Sequence, residues 1–227
     1  MRKLMSDPQT ADQPPYDMNS LESMGCHMFW GEVSEETSYA ACDFIIKSNL
    51  VQRGDDPITI IINTCGGECA EGFAVIDLMD SSRLPIATVG TGSIQSMGLL
   101  LVSAGTTGLR TLTKNAEIMA HQFSGYFSGK QHELIATQTA YSMLEARFVR
   151  HFQQHSAMSE KQIRDVLFAP SDRYLTPQEC KAFGLVDRVV EYFDQPAEPR
   201  MLKKVLAGRS ILGQSRPRVA RAPRSKA

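Results

Sequence analysis

One run of β-branched residues, followed by paired glycines and an apolar helix, restricts the fold of this chain more than any other feature. The residues PITIIIN (57–63) predict a buried strand, and ECAEGFAVIDLMDSS, directly after the glycines, predicts a helix with one apolar face. A second unit repeats this order with the strand PIATVG (85–90) and the apolar helix behind Ser96. Repeated strand–helix units predict an α/β domain with a largely parallel sheet.

The remaining segments extend the same pattern. SEETSYAACDFIIKSNL predicts a helix that begins after Ser34, LRTLT and AEIMA predict short strands, and GLVDRVV predicts a closing strand. A long helix is expected over residues 131–155, with a set of apolar side chains directed inward: Leu134, Tyr141, Leu144, Phe148 and Phe152. On the polar side of that helix, His132, His151 and His155 are expected to face solvent.

Charge and composition divide the chain into three parts. With 227 residues, 42% of them hydrophobic, one domain with a substantial core is expected over residues 21–195, after a flexible segment at 1–20. The segment 196–227 is expected to be a disordered basic tail, because residues 200–227 hold nine Lys or Arg and no acid. Such a tail suits an acidic partner or nucleic acid, or is a solvated extension that contacts acidic surfaces of its own assembly.

Neither a membrane segment nor a metal site is expected. No apolar run approaches the ~20 residues that a membrane helix needs, so a soluble protein is predicted. The five cysteines are interpreted as free thiols of a reducing compartment. Cys65 and Cys69 lie four residues apart, but no second Cys or His pair follows at metal-ligand spacing.

Two loops at the carboxyl ends of the predicted strands are candidates for a binding site. NTCGGE follows the first strand and GTGSIQSMG follows the second, and ligands of such sheets bind at this edge. Neither loop has a phosphate-binding glycine motif, so an oxyanion hole formed by the N–H groups of Gly67 and Met97 is the alternative use. Ser96 is then either a helix cap or a nucleophile.

A nucleophilic serine needs a base and an acid. His121 ends the apolar strand AEIMA at the same sheet edge, which distinguishes it from the other histidines. Position alone leaves four carboxylates open as the acid: Asp165, Asp172, Asp187 and Asp194.

Five segments together resemble the ClpP family, the proteolytic subunits of the Clp serine peptidases. They are IINTCGGECAEG, QSMGLLLVSAG, MAHQ, SDRYLTPQEC and GLVDRVV, and the resemblance covers residues 26–193. It implies a crotonase-like fold of β-α units with a handle made of one long helix and a strand. It further implies Ser96 as nucleophile, His121 as base and Asp172 as acid.

The resemblance also carries expectations about substrate and assembly. It implies oxyanion donors at Gly67 and Met97, and substrate contacts at Gly66, Glu68, Gly125 and Tyr126. It implies two stacked seven-membered rings that enclose a chamber, in which unfolded polypeptides are cleaved after delivery by an AAA+ unfoldase. That partner uses the ATP, so no cofactor is expected on this chain, and a cytoplasmic location is expected.

Three departures from the family pattern bear on substrate preference. The family usually has proline where this chain has Cys65 and Phe123, and commonly glycine where it has Tyr126. The alternatives to a Clp peptidase are a phage prohead-type processing protease, a structural ring subunit of the same fold and, as a further class, a crotonase-type acyl-CoA enzyme. The last would not need Ser96, His121 and Asp172 together.

Overall fold

The computed structural model of this protein describes residues 21–51, 54–125 and 128–191. The two predicted flexible termini, 1–20 and 196–227, lie outside the described residues. Strands and helices alternate along the chain in this order: β1 (Cys26–Trp30), α1 (Glu35–Leu50), β2 (Ile58–Thr64), α2 (Cys69–Ser81), β3 (Ile86–Gln95), α3 (Met97–Ser103), β4 (Arg110–Thr113), β5 (Glu117–Ala120), α4 (Gln131–His155), α5 (Glu160–Gln162), which continues into a π-helical turn (Ile163–Leu167), β6 (Arg173–Leu175), α6 (Pro177–Ala182) and β7 (Arg188–Val190).

The strands form one mixed sheet with the order β1-β2-β3-β4-β7. Neighbours along this path are parallel. Strand β5 pairs in parallel with the later part of β3 and antiparallel with β6. The predicted α/β class with a largely parallel sheet is therefore confirmed.

Local sequence explains where the first units begin and what they bury. Ser34 caps α1, where its hydroxyl accepts a hydrogen bond from the N–H of Thr37 and the Thr37 hydroxyl accepts one from the N–H of Ser34. In β2, alternate residues are buried, with Ile58, Ile60 and Ile62 each at most 1% exposed. This alternation sets the core on one side of the sheet.

Strand β3 is longer than its sequence indicates. The expected strand ended at Gly90 and continued into a glycine-rich loop, whereas the structure keeps the chain extended to Gln95. A second partner explains the difference, because β3 pairs first with β4 and then with β5. At the transition, the Asn63 side-chain oxygen accepts a hydrogen bond from the N–H of Ser93 at 2.8 Å.

The long helix has the predicted bounds, but only its C-terminal half packs on the body. Phe148 and Phe152 are buried as expected, while Tyr141 and Leu144 are half-buried. The inward direction predicted for Leu134 is wrong, since its residue is 42% exposed. A helical period identifies one face of a helix, but it does not show how much of that face has a neighbour.

His151 also departs from the expectation of a solvent-facing side chain. It is 4% exposed, its Nε2 lies 3.0 Å from Ser103 Oγ, and its ring stacks on that of His155 with centroids 4.5 Å apart. Burial, together with the neighbouring His155, lowers the pKa of His151 to about 3. His155 is half-buried, and its Nε2 lies 3.8 Å from a carboxylate oxygen of Asp80.

Each of the five cysteines is a free thiol. Burial raises the pKa of the innermost, Cys180, to about 12, and Glu179 adds to the effect. The described segments contain no group of three or more His, Cys, Asp or Glu side chains that could hold a metal ion. No helix in those segments combines the length and apolar character needed to cross a membrane.

Candidate active site

Ser96 joins the end of β3 to the start of α3 and has a strained backbone. Its φ is 53° and its ψ is −122°, and it is the one non-glycine residue with positive φ in the described part of the chain. Ser96 occupies the N-cap position of α3, yet its side chain makes no capping hydrogen bond. Of the two interpretations of Ser96 that the sequence allows, helix cap and nucleophile, the structure excludes the cap.

The Ser96 hydroxyl instead contacts an imidazole. His121 Nε2 lies 2.9 Å from Ser96 Oγ. The parallel pairing of β3 with β5 brings them together: Gln95 lies beside Met119, and the Ser96 N–H donates to the Met119 carbonyl at 2.8 Å. Both side chains follow directly from the carboxyl ends of neighbouring strands. The proximity that the sequence suggests is present in the structure.

One of the two glycines after β2 lies against Ser96. Gly66 has φ +97°, and a Cβ built on it would lie 2.6 Å from Ser96 Cβ. The loop is held by Val33, whose N–H donates to the Gly66 carbonyl and whose carbonyl accepts from the Glu68 N–H, both at 2.8 Å. Only a residue without a side chain fits this close to the serine.

The expected oxyanion donors directly follow Gly66 and Ser96 along the chain. Gly67 follows Gly66 in the loop, and Met97 is the first residue of α3. Neither backbone N–H donates to any acceptor in the hydrogen bonds of the described segments. The N–H of a first helical residue has no partner within its own helix. Both groups therefore keep a hydrogen-bonding capacity that the described residues do not use.

Asp172 lies near His121 but is not bonded to it. The antiparallel register of β5 and β6 pairs Ala120 with Arg173, and one further residue sets Asp172 opposite His121. The Asp172 side chain is exposed, and no hydrogen bond of the described residues joins it to the imidazole. Of the other candidates, Asp165 pairs with Lys161 and Asp187 pairs with Arg110, while Asp194 lies outside the described residues.

The remaining expected substrate contacts are placed differently from one another. Glu68 is exposed at the start of α2, beside the glycine loop. Gly125 is exposed and lies against Tyr141, since a Cβ on it would overlap the Tyr141 hydroxyl. Tyr126 lies outside the described residues.

An apolar cavity opens beside the Ser96–His121 pair, and the sequence did not indicate its composition. It encloses about 330 Å³, with the open solvent at its mouth included. Its lining draws on five separate segments: Cys69, Ser96, Leu99, Leu100, Ala120, His121, Phe123, Phe148, Phe152, Leu167 and Phe168. Three phenylalanines lie in or after the long helix, where a helical period signals only burial. The sequence contains one indication of an unusual lining, because Phe123 stands where the family that the chain resembles usually has proline.

A comparison with models of known protein families matches residues 19–193 of this chain. The matching model is that of the Clp protease family. The matched segment contains every residue of the site described above.

Proposed function

Because this chain belongs to the Clp protease family, we propose that it is a serine endopeptidase with Ser96 as its nucleophile. The observation that carries the proposal is the 2.9 Å contact between Ser96 Oγ and His121 Nε2. A strained backbone directs the serine away from its own helix and toward a base, which a structural cap does not require.

The geometry supports the two steps of acyl transfer. Ser96 Oγ attacks the peptide carbonyl carbon while its proton passes to His121 Nε2, and the carbonyl oxygen becomes an oxyanion. The N–H groups of Gly67 and Met97 stabilise that oxyanion. His121 then gives the proton to the leaving amine, and water releases the acyl group by the reverse sequence.

We assign the orienting role to Asp172. A carboxylate that accepts a hydrogen bond from Nδ1 of the base fixes the tautomer in which Nε2 can accept a proton. Asp172 stands opposite His121 in the continued β5–β6 register, whereas Asp165 and Asp187 are paired with cations elsewhere. The assignment requires the Asp172 carboxylate to turn toward the imidazole from its exposed position.

The family membership also supports a proposal about substrate and assembly. We propose that extended polypeptide binds along the glycine loop at Gly66–Glu68 and along Gly125, in stacked rings fed by an AAA+ unfoldase in the cytoplasm. The same proposal leaves ATP use to that partner. A crotonase-type acyl-CoA enzyme would keep the glycine loop, but it would give no reason for the Ser96–His121 contact.

Two measurements on the native particle test this function. A serine-reactive phosphonate is expected to label Ser96 and to stop peptide cleavage, and the native mass is expected to correspond to fourteen copies of the 25.1 kDa chain rather than to a monomer. Labelling of another serine instead, such as Ser93 three residues before Ser96, or cleavage that survives full labelling, would contradict the proposed function. A processing protease or structural ring subunit would form the particle without cleaving a general peptide substrate.

A further inference from the structure

Phe123 lies two residues after the base and forms part of the cavity beside the nucleophile. It is half-buried, and its ring contacts two aromatic side chains of α4. Its centroid is 5.0 Å from that of Tyr141 and 6.0 Å from that of Phe148, with the Phe148 ring only 10° from parallel. This spacing leaves no room for another side chain between Phe123 and α4.

The same aromatic contacts fix the segment that carries Phe123. Tyr141 supports the ring from behind and also lies against Gly125. On the other side, the Gln122 side-chain amide donates to the Phe168 carbonyl at 2.8 Å. Because neighbours on both sides hold this segment, the Phe123 ring cannot move away without disturbing α4 or the residues near Phe168.

The cavity that Phe123 bounds is suited to an apolar side chain. Apart from Ser96, His121 and the thiol of Cys69, its lining side chains are aliphatic or aromatic. Because the 330 Å³ includes open solvent, the room inside the cavity is smaller than that of a small-molecule site, which suits one amino-acid side chain rather than a larger ligand. Since it opens beside Ser96 Oγ, the side chain that enters it is that of the residue whose carbonyl is attacked.

We propose that Phe123 is the specificity-determining wall of this cavity, so that its ring sets the size of the side chain accepted on the acyl side of the cleaved bond. The inference rests on the proposed peptidase function. With the ring in place, an aliphatic side chain of leucine size fills the cavity and an indole is excluded. The contacts with Tyr141 and Phe148 link this limit to the position of α4.

Two peptides that differ only at that residue, leucine against tryptophan, test the proposal. In Phe123→Ala, the ratio of kcat/KM for tryptophan to that for leucine is expected to rise about tenfold or more, because small changes of fit in an apolar pocket change discrimination by that order. Phe123→Leu, which retains most of the apolar volume and is the safer variant for folding, should raise the ratio by less. The matched control is Met143→Ala, on the exposed side of α4, for which the ratio should not change.

The outcomes separate this inference from the function on which it rests. An unchanged ratio in Phe123→Ala, with both rates reduced equally, would overturn the inference, because Phe123 would then act only by positioning His121. An unchanged ratio in Phe123→Leu together with a misfolded Phe123→Ala would overturn it as well. If the unaltered protein cleaved neither peptide and Ser96 resisted the phosphonate, the peptidase function itself would be wrong.

Discussion

His121 Nε2 lies 2.9 Å from Ser96 Oγ, although the two residues are 25 positions apart along the chain. Each side chain follows the end of its strand, and the parallel pairing of those strands holds the two at hydrogen-bonding distance. The pair is thus fixed by the backbone of the sheet rather than by a flexible loop. The first two predictions depend on this relationship.

Replacing Ser96 with alanine is expected to reduce peptide cleavage by about 10⁶-fold, because loss of a nucleophile that acts with its base has an effect of that order. The native mass should not change, since the side chain makes no capping hydrogen bond. Cleavage of a fluorogenic peptide and the native mass together measure this. Ser93→Ala is the control, and loss of cleavage in that variant alone would identify a different nucleophile.

Replacing Asp172 with asparagine is expected to lower turnover by about 10⁴-fold, because an amide favours the wrong imidazole tautomer. Asp165→Asn is the matched control, since Asp165 pairs with Lys161 at the surface and should affect the rate little. Rates are measured at neutral pH and near pH 9, on variants that assemble normally. If Asp165→Asn lost its turnover, or Asp172→Asn kept most of it, the acid would be a residue other than Asp172.

Adding a methyl group at Gly66 should displace the nucleophile. The new Cβ would lie 2.6 Å from Ser96 Cβ, and a displacement of about 1 Å at a reacting group lowers rates about 10²-fold. Gly108→Ala is the matched control, because Gly108 also has a positive φ, +91°, but nothing lies within 4 Å of its Cβ. Both variants should lose about 1 kcal/mol from backbone strain, and only Gly66→Ala should lose activity. The unfolding midpoint and kcat/KM separate the two effects.

Stability should fall in acid because of His151. The pKa of His151 is lowered to about 3 in the folded protein, whereas an unfolded histidine titrates near 6.5. The unfolded state therefore binds the extra proton as the pH falls below 6.5, so the stabilisation is complete above that pH and is lost toward pH 3. At pH 5 the free energy of unfolding is therefore expected to be about 2 kcal/mol per chain lower than at neutral pH.

Two variants isolate that contribution. His151→Leu should flatten the loss of thermal stability between pH 7.5 and pH 5, and Ser103 Oγ keeps its hydrogen bond to the Leu100 carbonyl. His132→Leu, which changes an exposed histidine of the same helix, should keep the full pH dependence. Identical pH profiles for the two variants would show that His151 is not the source.

Alkylation of Cys69 should block the cavity. Iodoacetamide is expected to inactivate the protein slowly at neutral pH, because burial raises the pKa of this thiol and Glu68 raises it further. Only the thiolate reacts, so the inactivation rate should rise about tenfold per pH unit below that pKa. Cys69→Val should cleave peptide normally and resist the reagent. Inactivation that persists in this variant would assign the effect to another thiol, such as exposed Cys65.

The order of elements could be predicted because periodicity and caps are local properties. Ser34 begins α1 and the long helix has the expected bounds, 131–155. What the sequence could not indicate depends on partners distant along the chain. The extension of β3 requires β5, and the burial of His151 requires Ser103 on another helix. A polar residue on a helix is predicted to face solvent unless a buried partner for it is known.

Part of the candidate site could also be predicted from local sequence features. Strand ends and glycines located Ser96, His121 and the Gly66 loop at one sheet edge, and their catalytic roles stay a prediction. The choice of Asp172 came from the family resemblance, since spacing left four carboxylates open. The aromatic lining of the cavity could not be predicted, because its phenylalanines come from segments that meet only in the folded chain.

Strand β5 has consequences for which insertions and deletions the chain can tolerate. Its four residues pair in parallel with β3, the strand before Ser96, and antiparallel with β6, the strand after Asp172. A single-residue deletion within Glu117–Ala120 would turn the side chain of His121 to the opposite face of the sheet, so His121 would lose its contact with Ser96. Insertions and deletions should therefore be rarer within these four residues than in the loops of the chain.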